Sequence, residues 1–138
     1  MALNAQQAFE RAGRGQRVIG WKLDRADRAA LLGRFPPRYQ AVVADHVTLR
    51  GHTRPEEPPP SLVTAAVVGH ADDGAGVQCL VVAVDGATAR PDGSVYHITW
   101  SLSAGRRAVQ SNDVLRTEGW TTLAEAVPIR LIPAAWPY

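Results

Sequence analysis

Two apolar runs, Leu62 to His70 and Val77 to Asp85, are separated only by Ala71-Asp72-Asp73-Gly74-Ala75-Gly76. Such a segment makes a tight reversal, because Gly accepts positive φ and Asp side chains bond the amides that follow them. The chain therefore turns back on itself here as an antiparallel hairpin. A second reversal, Pro91-Asp92-Gly93, delivers a third extended run, Val95 to Leu102, which pairs by the same logic with Val77 to Asp85. Successive strands joined by short turns point to antiparallel sheet rather than to repeated strand-helix-strand crossovers.

The other segments fill in this frame. Arg17 to Leu23 carries the β-formers Val18, Ile19 and Trp21 and ends at Asp24, a helix cap. The helix is expected through Leu32 with an apolar stripe of Ala26, Ala29, Ala30 and Leu31 or Leu32, stopped by Gly33 and Pro36-Pro37. Ala2 to Ala12 has helical composition and is stopped by Gly13 and Gly15. Arg34 to Asp45 reads as a loop, and the proline-rich Arg54 to Pro60 as an extended surface connection. After the basic loop Gly105 to Gln110, Ser111 is expected to cap a short helix. A further short helix is expected over Leu123 to Ala126, then a last strand from Val127 to Ile132 that ends at Pro133. Roughly six strands and two to four helices define an α+β fold with a largely antiparallel sheet.

A chain of 138 residues, 46% hydrophobic and 20% charged, has the size and composition of one globular domain. Its net charge of +2 admits a phosphate-bearing ligand without marking a long duplex-binding surface. Cys79, the only cysteine, excludes an intramolecular disulfide and a thiolate metal cluster, and its apolar neighbours mark it as an inert core residue. No run approaches the ~20 apolar residues of a membrane span, and the N-terminus lacks a signal-peptide pattern. A cytoplasmic monomer with no membrane contact and no obligate protein partner is the simplest expectation.

Within this frame one pattern occurs twice: Asp45-His46-Val47-Thr48-Leu49 and Tyr96-His97-Ile98-Thr99-Trp100. With four His and eight Thr in the chain, about 0.2 His-x-Thr matches are expected by chance. On a strand, residues i and i+2 share a face, so each His lies beside its Thr. Alternation places His46, Thr48, Arg50 and His52 opposite Val47 and Leu49. It places His97, Thr99 and Ser101 opposite Tyr96, Ile98, Trp100 and Leu102. An imidazole with an ordinary pKa near ~6.5 serves as base when neutral and as acid when protonated, and Thr hydroxyls donate to phosphate oxygens. Two such pairs facing one another suit acid-base hydrolysis of a phosphodiester, with no metal or cofactor called for.

The paired motifs on strands of a small α+β domain resemble the signature of the 2H phosphoesterase superfamily, which includes cyclic phosphodiesterases and RNA-end-processing enzymes. The segment from His97-Ile98-Thr99-Trp100-Ser101-Leu102 through Gly105 to Ser111-Asn112 is similar to the second-motif region of the cyclic phosphodiesterase domain of fungal-type tRNA ligases. The resemblance implies two pseudo-symmetric lobes, each with one motif, facing a central groove between about Arg17 and Ile132. It further implies metal-independent opening of a 2′,3′-cyclic phosphate on a nucleotide or RNA terminus to a 2′-phosphate, as in RNA processing and repair. His46 and His97 match the catalytic histidines, and Thr48 and Thr99 the phosphate-binding hydroxyls.

Other residues are candidates for substrate binding. Arg50 and Ser101 extend the polar faces of the two motif strands, and Arg106 and Arg107 follow the second motif. Tyr39 and Trp120 stand in expected loops where an aromatic ring can stack on a base. Trp21 and Trp100 are expected in the core, and His52 in a loop beyond its strand. Two rival readings fit the same residues. One is a nucleotide- or RNA-end-binding module without turnover. The other is a metal-dependent hydrolase using His46, His52 or His70 with Asp72 and Asp73.

Overall fold

The computed structural model describes residues 3–11 and 15–137. Its elements run in the order α1 (Ala5–Arg11), β1 (Arg17–Leu23), α2 (Arg25–Arg34), β2 (Ala41–Val42), β3 (His46–Thr53), β4 (Ala65–Asp72), β5 (Val77–Val84), β6 (His97–Leu102), α3 (Gln110–Glu118), β7 (Thr121–Ile129) and β8 (Leu131–Pro137). The fold is α+β. Two antiparallel sheets, ordered β3-β1-β8 and β2-β6-β5-β4-β7, form two lobes with the helices mostly outside. Each lobe carries one His-x-Thr strand.

The hairpin read from the sequence is β4-β5, with His70 opposite Leu80 and Asp72 opposite Gln78. Its turn is held by Asp73 Oδ1, which accepts from the amides of Ala75 at 2.8 Å and Val77 at 3.0 Å. β5 then pairs with β6, so the expected three-strand meander is present. Asp24 caps α2 by accepting from the Asp27 amide at 3.0 Å. The helix does not bury the expected alanine stripe, however. Ala26, Ala29 and Ala30 are exposed, and α2 docks through buried Leu31 and through Arg28 Nε, which donates to the Ala44 carbonyl.

The lobes meet over one apolar core. Trp21, Leu23, Val47 and Leu49 of the smaller sheet pack with Leu80, Val82, Ile98 and Trp100 of the larger one. Fully burying each such side chain contributes about 1.5–3 kcal/mol before entropy is counted. Both indoles are satisfied, Trp21 Nε1 donating to the Ser61 carbonyl at 2.9 Å and Trp100 Nε1 to that of Phe35 at 2.7 Å. β1 and β3 approach closely at Gly20, where a Cβ would lie 2.2 Å from the Val47 carbonyl oxygen. A second cluster, with Cys79, Val81 and Leu102, lies under Val114 and Leu115 of α3. Burial pushes the Cys79 thiol up to about 12, in keeping with an inert core residue.

Four local expectations are corrected. Within the expected loop Arg34 to Asp45, Ala41 and Val42 form β2 and pair with Leu102 and Ser101. Leu123 to Ala126 is extended within β7 rather than helical. Its flanks pair with β4 through Thr122 opposite Gly69 and Val127 opposite Val67, which overrides the helical leaning of the four residues between them. The last strand does not end at Pro133. β8 pairs with β1 from Leu131 to Pro137 at the edge of its sheet, where a missing amide is tolerated. Arg130 alone carries the chain from one sheet to the other, and its guanidinium bonds Asp24 and Asp27 at the start of α2. Finally, Ser111 lies inside α3 and does not cap it; the cap position is Val109, with no side-chain bond.

Candidate active site

β3 is an edge strand of the smaller sheet, and β6 lies inside the larger one. The alternation read from the sequence holds on β3, where Val47 and Leu49 are buried in the core while His46, Thr48 and Arg50 are only half-buried. β6 has no solvated side, and His97 and Thr99 are themselves buried. The two strands nevertheless bring His46, Thr48, His97 and Thr99 to the wall of one groove of about 630 Å³.

Each imidazole is held through Nδ1. His46 Nδ1 lies 3.0 Å from Asp45 Oδ2, and His97 Nδ1 lies 2.9 Å from the Val95 carbonyl oxygen. A carboxylate and a carbonyl can only accept, so both Nδ1 atoms carry hydrogen and both Nε2 atoms are left for chemistry. The surroundings then separate the two rings. Burial lowers the His46 pKa, partly offset by the bond and charge of Asp45, and the Trp136 ring lies 4.7 Å away. Burial opposes ionisation of Asp45 too, but bonds from Lys22, His46 and Arg25 hold its carboxyl well below the usual range. Among the described residues, His97 has no anion behind it. Burial, followed by the nearby Arg90 guanidinium, pushes it down to about 4.

The threonines differ as well. Thr99 Oγ1 lies 2.9 Å from Ser111 Oγ and donates toward the Ala108 carbonyl at 3.3 Å. When Ser111 donates to Thr99, the Thr99 proton is free to turn to a ligand. The Thr48 hydroxyl has no protein partner among the described residues, while the Thr48 carbonyl accepts from Arg90 Nη1 at 3.2 Å. Three arginines, Arg50, Arg90 and Arg107, line the groove against one carboxylate, Asp92, whose Oδ1 is taken by Ser94. The charged lining of the groove is thus net positive.

The other sequence candidates divide. Arg50 and Arg107 line the groove. Arg50 lies over the Phe9 ring, 4.9 Å from its centroid, and donates to the Phe9 carbonyl. The Arg107 side chain has no protein partner among the described residues. His52 also lines the groove. It belongs to β3, not to a loop, at an irregular stretch where its φ is 55°.

Ser101, Tyr39, Arg106 and Trp120 lie elsewhere. β6 is irregular between Thr99 and Ser101, and the buried Ser101 hydroxyl donates to Gln78 Oε1 at 2.6 Å and accepts from the Tyr39 amide. Tyr39 donates its hydroxyl to Asp72, and Arg106 is paired with Asp73 at 2.9 Å. Trp120 is 38% exposed and lies against Gly69 of β4. The metal-ligand set of the rival reading does not converge. His46 and His52 line the central groove, whereas His70 and Asp72 line a separate cleft beside Arg38 and Gln78.

Sequence reasoning did not reach Phe9, Arg90, Asp92 or Trp136, all of which line the groove. Trp136 lies beyond the expected last strand, and Arg90 carries no mark except its place before the Pro91-Asp92-Gly93 turn. Asn112, of the Ser111-Asn112 pair, lines the groove as well. In comparisons with protein-family models, curated proteins and solved structures, nothing matches this chain.

Proposed function

We propose that the protein is a 2H-type phosphodiesterase that opens a 2′,3′-cyclic phosphate on a nucleotide or RNA end. The observation that carries this reading is the convergence of two His-x-Thr strands, from two different sheets, on one cationic groove with both Nδ1 atoms already bonded. Support for dividing their roles comes from the different environments of two otherwise equal histidines. His97, beside a cation and without an anion behind it, is the base. Its Nε2 takes a proton from water as the water oxygen bonds to phosphorus.

His46, backed by the Asp45 carboxylate, is the acid. Its Nε2 gives a proton to the 3′ oxygen as the bond from phosphorus to that oxygen breaks, which leaves a 2′-phosphate. Thr48 and Thr99 donate to the non-bridging oxygens, where negative charge grows in the transition state. The anionic ligand itself raises the proton affinity of both rings, so His46 holds its proton best when the groove is filled.

The test is turnover by purified protein, with chelator present, of 2′,3′-cyclic mononucleotides and of an oligonucleotide ending in a cyclic phosphate. Phosphorus NMR identifies the product position. His46→Ala and His97→Ala are each expected to lower kcat by about 10²–10⁴-fold, the usual contribution of a positioned acid or base. Full activity in either variant overturns the mechanism. Tight binding of a nucleoside 2′-phosphate with no turnover on any cyclic phosphate makes the protein a binding module instead.

A further inference from the structure

Arg90 stands in the connection between β5 and β6, lines the groove, and is only 8% exposed. A guanidinium so deeply buried is ordinarily bonded to a carboxylate, yet the hydrogen-bond partners of Arg90 are all neutral. Nη1 donates to the Thr48 carbonyl at 3.2 Å, and Nη2 donates to the Val95 carbonyl at 3.1 Å and to Asn112 Oδ1 at 2.6 Å. Among the described residues, Arg90 Nε is the buried side-chain polar atom left without a partner. Among the described residues no carboxylate hydrogen-bonds the guanidinium, and Asp92, two residues along, acts on it only through space.

The three acceptors belong to three separate segments, and Thr48 and Asn112 line the groove. Thr48 is in the first motif strand, Val95 leads into the second, and Asn112 is in α3. The Val95 carbonyl is also the one that fixes His97 Nδ1 at 2.9 Å, so a single oxygen receives both groups through its two lone pairs. We propose that Arg90 is a positioning residue: it ties both motif strands and α3 into one frame, and its positive charge keeps His97 in the proton-accepting form.

The charged and titratable groups around His97 support that sign. Arg90 and Asp92 face the groove from the β5-β6 connection, His46 from β3, and Arg107 from the loop before α3. Both Arg90 and His46 act on His97 in the lowering direction. Asp92 is the one acid in this set; bonds from Ser94 keep it charged, and it acts on Arg90 through space rather than being among the groups that shift His97. Removing the guanidinium therefore moves His97 upward.

The catalytic part of this inference rests on the phosphodiesterase reading, whereas the coupling of Arg90 to His97 is measurable without it. His97 is titrated by NMR of its ring in wild type, Arg90→Met and Arg90→Lys, and thermal melting checks that each is folded. Arg90→Met is expected to raise the His97 titration midpoint, shift the acid limb of kcat/KM upward in parallel, and lower kcat by about 10²-fold through lost alignment. Arg90→Lys keeps the charge but cannot span three acceptors. It is expected to keep the wild-type midpoint and still lose at least about tenfold in kcat. A folded Arg90→Met protein with an unchanged His97 midpoint overturns the inference. If Arg90→Met does not fold, wild-type kcat in Arg90→Lys overturns it. Absence of turnover in wild type, with the midpoint still raised in Arg90→Met, removes the phosphodiesterase reading and leaves the coupling standing.

Discussion

His46 Nδ1 donates to Asp45 Oδ2 at 3.0 Å, and the same carboxylate is paired with Lys22 and Arg25. The bond fixes the ring tautomer, and the negative charge favours the protonated ring that a general acid needs. Among the described residues no such anion stands behind His97, whose Nδ1 meets a main-chain carbonyl. On the phosphodiesterase reading, that difference divides the labour between two otherwise equivalent motifs.

Asp45→Asn tests this relationship directly. The neutral amide removes the charge that supports protonated His46, and its NH₂ group no longer requires Nδ1 to donate. We expect kcat to fall on the order of 10²-fold with KM little changed, because the loss lies in proton transfer rather than ligand binding. The alkaline limb of the rate profile is expected to move to lower pH. Unchanged kcat in a folded variant removes Asp45 from the mechanism.

On the phosphodiesterase reading, the free protein is competent where one ring is neutral and the other protonated. His97 becomes available as a base above about 4, and His46 loses its proton below the ordinary histidine value. The profile of kcat/KM against pH is therefore expected to be a bell on the acid side of neutrality, its two midpoints belonging to the coupled pair. Stability follows a related sign. A histidine with a depressed folded pKa contributes stability that is complete above its unfolded value of ~6.5 and is lost as pH falls through the folded value. His97 accordingly makes the native state weaken by a few kcal/mol between about pH 6.5 and 4. Urea midpoints of wild type and His97→Gln, compared at pH 7 and pH 4.5, check this: the decline is expected to be smaller in the variant.

What the sequence made legible has a common physical origin. The β4-β5 hairpin depends on Asp and Gly within its own turn, and the His-x-Thr faces depend on the two-residue period of a strand, so both are written locally. β2 is two residues long, and β7 holds Leu123 to Ala126 extended only because its flanks pair with β4. Pro133 is a stop signal that an edge position neutralises. Ser101 obeys the alternation on paper, yet the irregularity of β6 and the reach of Gln78 draw it away from the groove. Arg90 depends on carbonyls at positions 48 and 95 and on an amide at 112, a relationship that no local pattern encodes.

Trp136 shows how such a distant residue comes to lie against a motif histidine. β8 pairs with β1 beyond Pro133 and sets the Trp136 ring 4.7 Å from His46. Burial is the largest influence lowering His46, while Asp45 acts in the opposite direction. Trp136→Ala lets water reach the ring and leaves the carboxylate in place. The His46 midpoint is therefore expected to rise, extending the alkaline limb of the rate profile to higher pH. A downward shift, or none, means that the indole does not control solvation of His46.

Ser111 tests the other half of the second motif. Its buried hydroxyl lies 2.9 Å from that of Thr99, whose remaining protein acceptor is the Ala108 carbonyl at 3.3 Å. With Ser111 donating, Thr99 accepts one bond and can turn its own proton to a phosphate oxygen. Ser111→Ala removes that donor and loosens the Thr99 rotamer, at a stability cost of about 1 kcal/mol for one hydrogen bond. An interaction that strengthens as charge develops on phosphate acts in the transition state, so kcat is expected to fall about tenfold with little change in KM. A rise in KM at constant kcat would instead place Thr99 in ground-state binding alone. Thr99→Ser, which keeps the hydroxyl, is expected to retain most of the rate, whereas Thr99→Val, which keeps only the shape, is expected to lose more than Ser111→Ala does.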